Sequence, residues 1–267
     1  MLTFIKILME QFLFSIKMYY IGNVINGMAV INITGLNVGN YTLHIIYSES
    51  NNYIANSKNF TFTVNKKSTS ITANPCDFVI NYGGLYDVIV NPKVSGVNVL
   101  FTLNGKVIGS TITNELGIAS IQLTSTILKN IGSGTHNIIV SFEGNENYFG
   151  FKATTKLSLN KELTKLSNVK SVKKTYKSTS KNMQLTSTLK DSKNKAIKNQ
   201  LVYFKVNNKK IYKVKTNSKG IAKLTLNKAD IKVCNINKKG NYKFTVTYKT
   251  TETYKQSTKN GKLKVLK

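Results

Sequence analysis

A stretch of 28 residues occurs twice in this chain. Gly96 to Leu123 aligns without a gap on Asn199 to Leu226, with 11 of 28 positions identical at an offset of 103. A repeat of that size means that like modules follow one another, so the fold must be one that closes its own core and recurs in series. The shared positions include Gly117-Ile118-Ala119 and its counterpart Gly220-Ile221-Ala222. A third occurrence starts at Gly27-Met28-Ala29, followed by Ile31 and Ile33 where the others have Ile121 and Leu123, then Leu224 and Leu226.

Downstream of each triplet stands a second anchor, a glycine at Gly39, Gly134 and Gly240. Counting from it in steps of two gives Tyr41, Leu43, Ile45 and Tyr47, then His136, Ile138, Val140 and Phe142, then Tyr242, Phe244, Val246 and Tyr248. A further aromatic follows in every copy, at Tyr53, Tyr148 and Tyr254. Alternate side chains of a strand point to one face, so this period predicts a half-buried strand. In the last copy Lys243, Thr245 and Thr247 fill the intervening positions, which puts lysine on the solvent side.

Residues 68 to 160 show one full copy. The strand candidates are Thr69 to Ala73, Tyr86 to Val90, Val97 to Leu103, Val107 to Thr111, Ile118 to Leu123, His136 to Phe142 and Lys152 to Leu159. Asn104-Gly105 is a two-residue hairpin turn, since both residue types tolerate positive φ. No helical period competes, and short strands between turn signals predict an all-β sandwich. The last copy repeats the layout at Leu185 to Leu189, Leu201 to Val206, Ile211 to Lys215, Ile221 to Leu226, Asn241 to Tyr248 and Gly261 to Leu266. The first copy is incomplete, with strands expected at Met28 to Ile33, Tyr41 to Tyr47 and Asn59 to Val64. Lys17-Met18-Tyr19 lies as far before Gly27 as Lys210-Ile211-Tyr212 before Gly220, which points to a degenerate strand. The expected division is a partial repeat at 1–66, a repeat at 67–160 and a lysine-rich repeat at 161–267, the whole being a piece or an end of a longer array.

All 39 basic residues are lysine, and the net charge is +28. The charge is uneven: residues 1 to 160 carry 10 Lys against 7 acids, whereas residues 161 to 267 carry 29 Lys against 4 acids. Such a field attracts nucleic acid, anionic wall polymers or acidic lipid headgroups alike, in a salt-dependent way. The absence of Arg argues against base-specific readout of DNA. Solvated outer faces and a dedicated anion site both remain open for these lysines.

The spacing Leu36-x-x-Gly39-x-Tyr41 resembles the tyrosine corner of immunoglobulin-like (Ig-like) sandwiches; Tyr242 repeats it and His136 departs from it. With the Gly-x-Ala strand and the late aromatic, the repeats resemble the bacterial and archaeal Ig-like domains strung along large surface proteins. The lysine-rich copy, from KNMQLTSTLK to GIAKLTL, is similar to those in adhesin-like proteins of methanogenic archaea. The resemblance implies tandem Ig-like β-sandwiches in an extracellular, surface-attached, non-enzymatic adhesive or stalk protein. Its partners would be cell-surface or wall glycans and proteins. The rival expectation is a polyanion-binding module that docks wall polymer or nucleic acid through the C-terminal lysines.

No catalytic, cofactor or metal site is expected. His44 and His136 are the two imidazoles and occupy different places in the repeat, His136 at the corner, where a structural hydrogen bond is its expected role. Cys76 and Cys234 fall at non-equivalent positions, so free thiols are expected. Glu143 and Glu146 share a loop with Asn145 and Asn147, a loose calcium candidate without EF-hand spacing. Neither a phosphate-cradling glycine loop nor a nucleophile elbow is present. Asn32, Asn40 and Asn59 head glycosylation triplets, and a lysine isopeptide crosslink stays open. Lys6, Glu10 and Lys17 interrupt the apolar N-terminus, which leaves no uncharged span long enough for a membrane helix there, and a secretory signal stays open without a clear cleavage site.

Overall fold

The computed structural model describes residues 4–11, 17–23, 25–26, 28–47, 49, 53–171, 174–175 and 183–266. Its first sheet is antiparallel, in the order β2-β1-β3-β4, from β1 (Phe4–Gln11), β2 (Lys17–Asn23), β3 (Gly39–Tyr47) and β4 (Asn56–Val64). β2 begins at Lys17 as its lysine-rich counterpart begins at Lys210, so the degenerate strand exists. The strand expected at Met28 to Ile33 does not. Asn26 has φ +51 in a turn bracketed by the isolated bridge Ile25↔Met28, and residues 29–38 run on without ladder pairing up to Gly39. Gly27 itself lies outside the described residues.

The middle repeat contains β5 (Ser70–Thr72), β6 (Cys76–Val79), β7 (Gly84–Asn91), β8 (Asn98–Leu103), β9 (Lys106–Ile112), β10 (Ile118–Leu123), α1 (Ser125–Ile131), β11 (Gly134–Gly144) and β12 (Phe149–Asn160). They form sheets in the orders β10-β7-β5 and β6-β12-β11-β8-β9. The C-terminal repeat contains β13 (Thr164–Ser171), β14 (Lys174–Thr175), β15 (Met183–Asp191), β16 (Leu201–Val206), β17 (Lys210–Lys215), β18 (Ile221–Leu226), α2 (Lys228–Val233), β19 (Gly240–Tyr248) and β20 (Ser257–Leu266). Its sheets run β13-β15-β18 and β14-β20-β19-β16-β17, the same plan strand for strand. In both repeats the leading strand splits. Its first half pairs antiparallel in the three-stranded sheet, and its second half pairs parallel with the last strand of the other. This is the layout of tandem Ig-like β-sandwiches.

Alternation builds the cores. Val99, Phe101 and Leu103 of β8 are buried, as are their counterparts Val202, Phe204 and Val206 of β16. In the C-terminal core Leu185, Leu189 and Leu224 of one sheet meet Phe204, Val246 and Leu263 of the other. Each such side chain removed from water contributes about 1.5 to 3 kcal/mol.

The 28-residue repeat also reproduces its polar joints. Thr113 Oγ1 donates to the Val94 carbonyl at 2.6 Å and accepts from the Val97 N–H at 2.9 Å. Thr216 does the same with Ile197 at 2.7 Å and Gln200 at 3.0 Å. Next in sequence, Asn114 Oδ1 accepts from the N–H groups of Leu116 and Ile118, and Asn217 Oδ1 from Lys219 and Ile221, all at 3.0 Å. The turn then needs Gly117 and Gly220, at φ +73 and +70, because a Cβ there would lie 2.8 Å from the Val90 oxygen and 2.5 Å from that of Leu189.

The Asn104-Gly105 hairpin is present, at φ +48 and +79. A register shift between Phe101 and Thr102 takes up one residue beside it, which the C-terminal repeat takes up in a longer turn closed by Val206 and Lys210. Two short helices were not expected. Both follow the β10/β18 strand, capped by Thr124 on Ile127 N and by the reciprocal pair Asn227 and Asp230. Strands β1, β6, β13 and β14 also lie outside the expected set.

Contacts group the chain into two compact units. One comprises residues 1–73, 87–120 and 139–154; the other comprises 74–86, 121–138 and 155–267.

Candidate binding face

The corner positions behave as one device. Tyr41 OH donates to the Asn37 carbonyl at 2.7 Å and Tyr242 OH to the Lys238 carbonyl at 2.9 Å, each four residues back. His136 Nε2 meets the Gly132 carbonyl at 3.0 Å, which makes Nε2 the protonated nitrogen in that bond. The imidazole therefore stands in for the phenol, as its sequence position implied. His44 is half-buried, with Nδ1 on Asn59 Oδ1.

Cys76 and Cys234 are free thiols. Cys234 is fully buried at the end of α2, where its sulfur lies 3.4 Å from Tyr212 OH, while burial and then Asp77 push the Cys76 thiol up to about 11. The Glu143–Glu146 loop is a turn: Asn145 Oδ1 accepts from Asn147 N and Tyr148 N, and Asn147 Oδ1 accepts from Val38 N. Among the described residues no group of three or more His, Cys, Asp or Glu is placed to hold a metal ion. Of the glycosylation triplets, Asn32, Asn40 and Asn59 are all exposed, and Asn40 Oδ1 accepts from Thr63 Oγ1 at 2.8 Å.

What sequence reading could not supply is the grouping of the lysines, because that depends on which strands pair. Directly opposed residues in an antiparallel ladder share a face. Across β17, β16 and β19 the register aligns Lys213 with Tyr203 and Thr247, and Ile211 with Lys205 and Thr245, on the side away from the buried Phe204 and Val246. Across β19 and β20 it aligns Thr245 with Asn260, Lys243 with Lys262, and Asn241 with Lys264. Lys215 and Lys249 complete the face, the latter with Nζ 4.8 Å from the Tyr203 ring centre. All seven of these lysines are exposed. Thr245 Oγ1 donates to Asn260 Oδ1 at 2.9 Å and Thr258 Oγ1 to Thr247 Oγ1 at 3.3 Å, so the polar side chains between the lysines lie bonded along the sheet.

The acids of residues 161–267 sit elsewhere. Glu162 and Asp191 are buried; Glu162 Oε1 accepts from Ser192 N at 2.9 Å and Asp191 Oδ1 from Lys195 N at 2.8 Å. Asp230 caps α2, accepts from Tyr212 OH at 2.9 Å and pairs with Lys210 at 3.1 Å. Burial pushes its carboxyl up, but the bonds from Lys210, Tyr212 and the Asn227 backbone outweigh this and hold it below its ordinary value. Glu252 lies in the loop between β19 and β20. Among the described residues that the register places on the outer face of this five-stranded sheet, none is acidic.

The corresponding face of the middle repeat is different. Where the C-terminal repeat has Tyr203, Lys205, Lys213 and Lys215, the middle one has Leu100, Thr102, Ser110 and Ile112; where it has Lys243 and Lys249, the middle one has Asn137 and Glu143. The frame is kept and the outer chemistry is changed.

No family model matches the chain, and no curated protein sequence matches it either. Among solved structures it is similar to invasin, a bacterial integrin-binding protein, at 16% identity over 74% of this chain and 39% of that one, with a TM-score of 0.44. A tetra-tandem repeat from the extending region of a large adhesion protein matches at 13% identity over 98% of this chain and 66% of that one, TM-score 0.35. A 1.5-MDa bacterial ice-binding adhesin matches at 10% identity over 100% of this chain and 88% of that one, TM-score 0.32. No helix among the described residues is long and apolar enough to cross a membrane.

Proposed function

We propose that the chain is a non-enzymatic, extracellular array of Ig-like modules, divided at 1–66, 67–160 and 161–267, that acts as an adhesive or stalk segment of a surface protein. The observation that carries this reading is the duplication of an entire frame, with the same sheet orders and, at an offset of 103, the buried Thr113 and Thr216 and the Asn-x-x-Gly turns. Duplication that conserves joints while the outer faces diverge is what serial display modules require, because each keeps its core and each can present a different surface. Among the described residues the repeated positions are occupied by core, turn and capping groups. The likeness to methanogen adhesin-like repeats rests on the lysine-rich copy alone.

Protease shaving of intact native cells tests the location. Release of fragments from residues 67–267 into the medium, with cytoplasmic markers retained, is the expected result. Protection of the chain until the cells are lysed would overturn it.

A further inference from the structure

The lysines on the outer face of the C-terminal five-stranded sheet are not scattered. Moving one strand at a time, Lys213 of β17 is followed by Lys205 one row along on β16, then Lys243 one row further on β19, then Lys262 and Lys264 on β20. With strands ~4.8 Å apart and alternate residues ~6.7 Å apart along each, Lys213, Lys205, Lys243 and Lys264 stand roughly 8 Å apart in succession, and Lys262 directly faces Lys243 at roughly 5 Å. They form a diagonal stripe that crosses four strands of one face.

We infer that this stripe is the docking track for a linear anionic polysaccharide, a chain of sugars bearing carboxylate or sulfate groups. This rests on the proposed extracellular adhesive role and names the partner class of its C-terminal module. Three observations favour it. First, the charge is uncompensated, since the acids of this repeat are buried, bonded in a helix cap or placed in a loop. Second, the stripe is bordered by Thr247, Thr258 and Asn260, hydroxyl and amide side chains of the type that hydrogen-bonds sugar hydroxyls, held across the strands by the Thr–Thr and Thr–Asn bonds. Third, the face lacks what single-stranded nucleic acid needs. Bases are held by stacking on successive rings, whereas the one ring that the register places on this face among the described residues, Tyr203, is half-buried and faces Lys249.

The test uses the whole chain, with polygalacturonate and heparin as probes and oligo(dT) and phosphatidylserine vesicles as comparators. One variant removes the stripe (Lys205→Gln, Lys243→Gln, Lys262→Gln). The other removes equal charge from the opposite side (Lys165→Gln, Lys219→Gln, Lys223→Gln). All six lysines are surface groups, and matching thermal melts establish that both variants fold. The stripe variant should bind polygalacturonate and heparin about tenfold or more weakly, with a shallower salt dependence, and the control within about twofold of wild type. Equal losses in both variants would reduce the effect to net charge and overturn the track. Tighter, stripe-dependent binding of oligo(dT) or vesicles than of the polysaccharides would overturn the partner class. An exported chain indifferent to both polysaccharides would refute the track and leave the surface role standing; a stripe-dependent binder found inside cells would do the reverse.

Discussion

Thr216 repeats, 103 positions on, both hydrogen bonds of Thr113: a bond from the side-chain oxygen to a loop carbonyl and a bond received from an N–H three residues beyond it. Both residues are buried, so valine in either place leaves a carbonyl and an N–H without partners. Thr113→Val and Thr216→Val should each cost about 1 to 3 kcal/mol. Denaturant unfolding followed in each variant measures this, and a change below about 0.5 kcal/mol in both would mean that the joints are decorative.

Glycine is needed at two turns for different reasons. Gly117→Ala faces both a positive φ and a backbone oxygen 2.8 Å from the new carbon, whereas Gly105→Ala at φ +79 meets open space. The first should cost about 2 kcal/mol or more and the second about 1 kcal/mol, the conformational part alone. Urea midpoints of the two variants give the comparison, and equal shifts would contradict the close approach at Val90.

The corner bond can be traded between side chains. Tyr242→Phe deletes the donor to Lys238 and should lose about 0.5 to 1.5 kcal/mol. His136→Tyr restores the form used by the other two copies and should leave the middle repeat as stable as before or more so. Calorimetric melting of both variants decides it; marked destabilisation by His136→Tyr would show that the site is shaped for imidazole.

Face assignment has a direct readout. Val246 is fully buried and Lys243, three residues earlier on β19, is exposed on the other side. Val246→Asp should remove about 4 kcal/mol or more by burying a charge. Lys243→Gln should stay within about 0.5 kcal/mol of wild type, and similar melting of the two would reverse the inner and outer faces.

Alkali should loosen the fold. Burial, then the Asp191 and Glu162 carboxylates, raise Tyr82 from 10.0 to about 12; burial raises Tyr86 to about 12 and Cys76 from 9.0 to about 11. Each group holds its proton more tightly folded than unfolded. The stabilisation is therefore whole below the unfolded values and is lost as pH climbs through 9 to 12. Melting temperature should fall across that window, and Tyr86→Phe should flatten the fall; an unchanged slope in that variant would remove Tyr86 from the account.

How much was legible in the residues depended on locality. The β11 and β19 ladders, the Asn104-Gly105 turn and the corner at Tyr41, His136 and Tyr242 show in the sequence because each is set by residues a few positions apart. The helices were hidden: α1 is seven residues long with Leu128 as its buried member, too short for a helical period to emerge. Their signal lay in the caps, Thr124 and the Asn227–Asp230 pair. Met28 to Ile33 misled because the Gly-x-Ala spelling recurs there without the Asn-x-x-Gly turn, and a tight bend takes its place. As for the candidate face, the excess of lysine was plain, but the diagonal stripe exists only through the pairing of β17, β16, β19 and β20, which no single segment encodes.

Strand β17 ends its sheet, and Lys210, Lys213 and Lys215 line that open margin beside exposed Ile211. Where sandwiches of one plan recur in a chain, a hazard is that sister sheets fuse rim to rim, since bare ladder groups on one copy are a template for the next. With Lys210 held by Asp230, Lys213 and Lys215 still leave two like charges on the strand that make that fusion repulsive, so the same lysines that dress the surface also oppose pairing of this rim with another sheet.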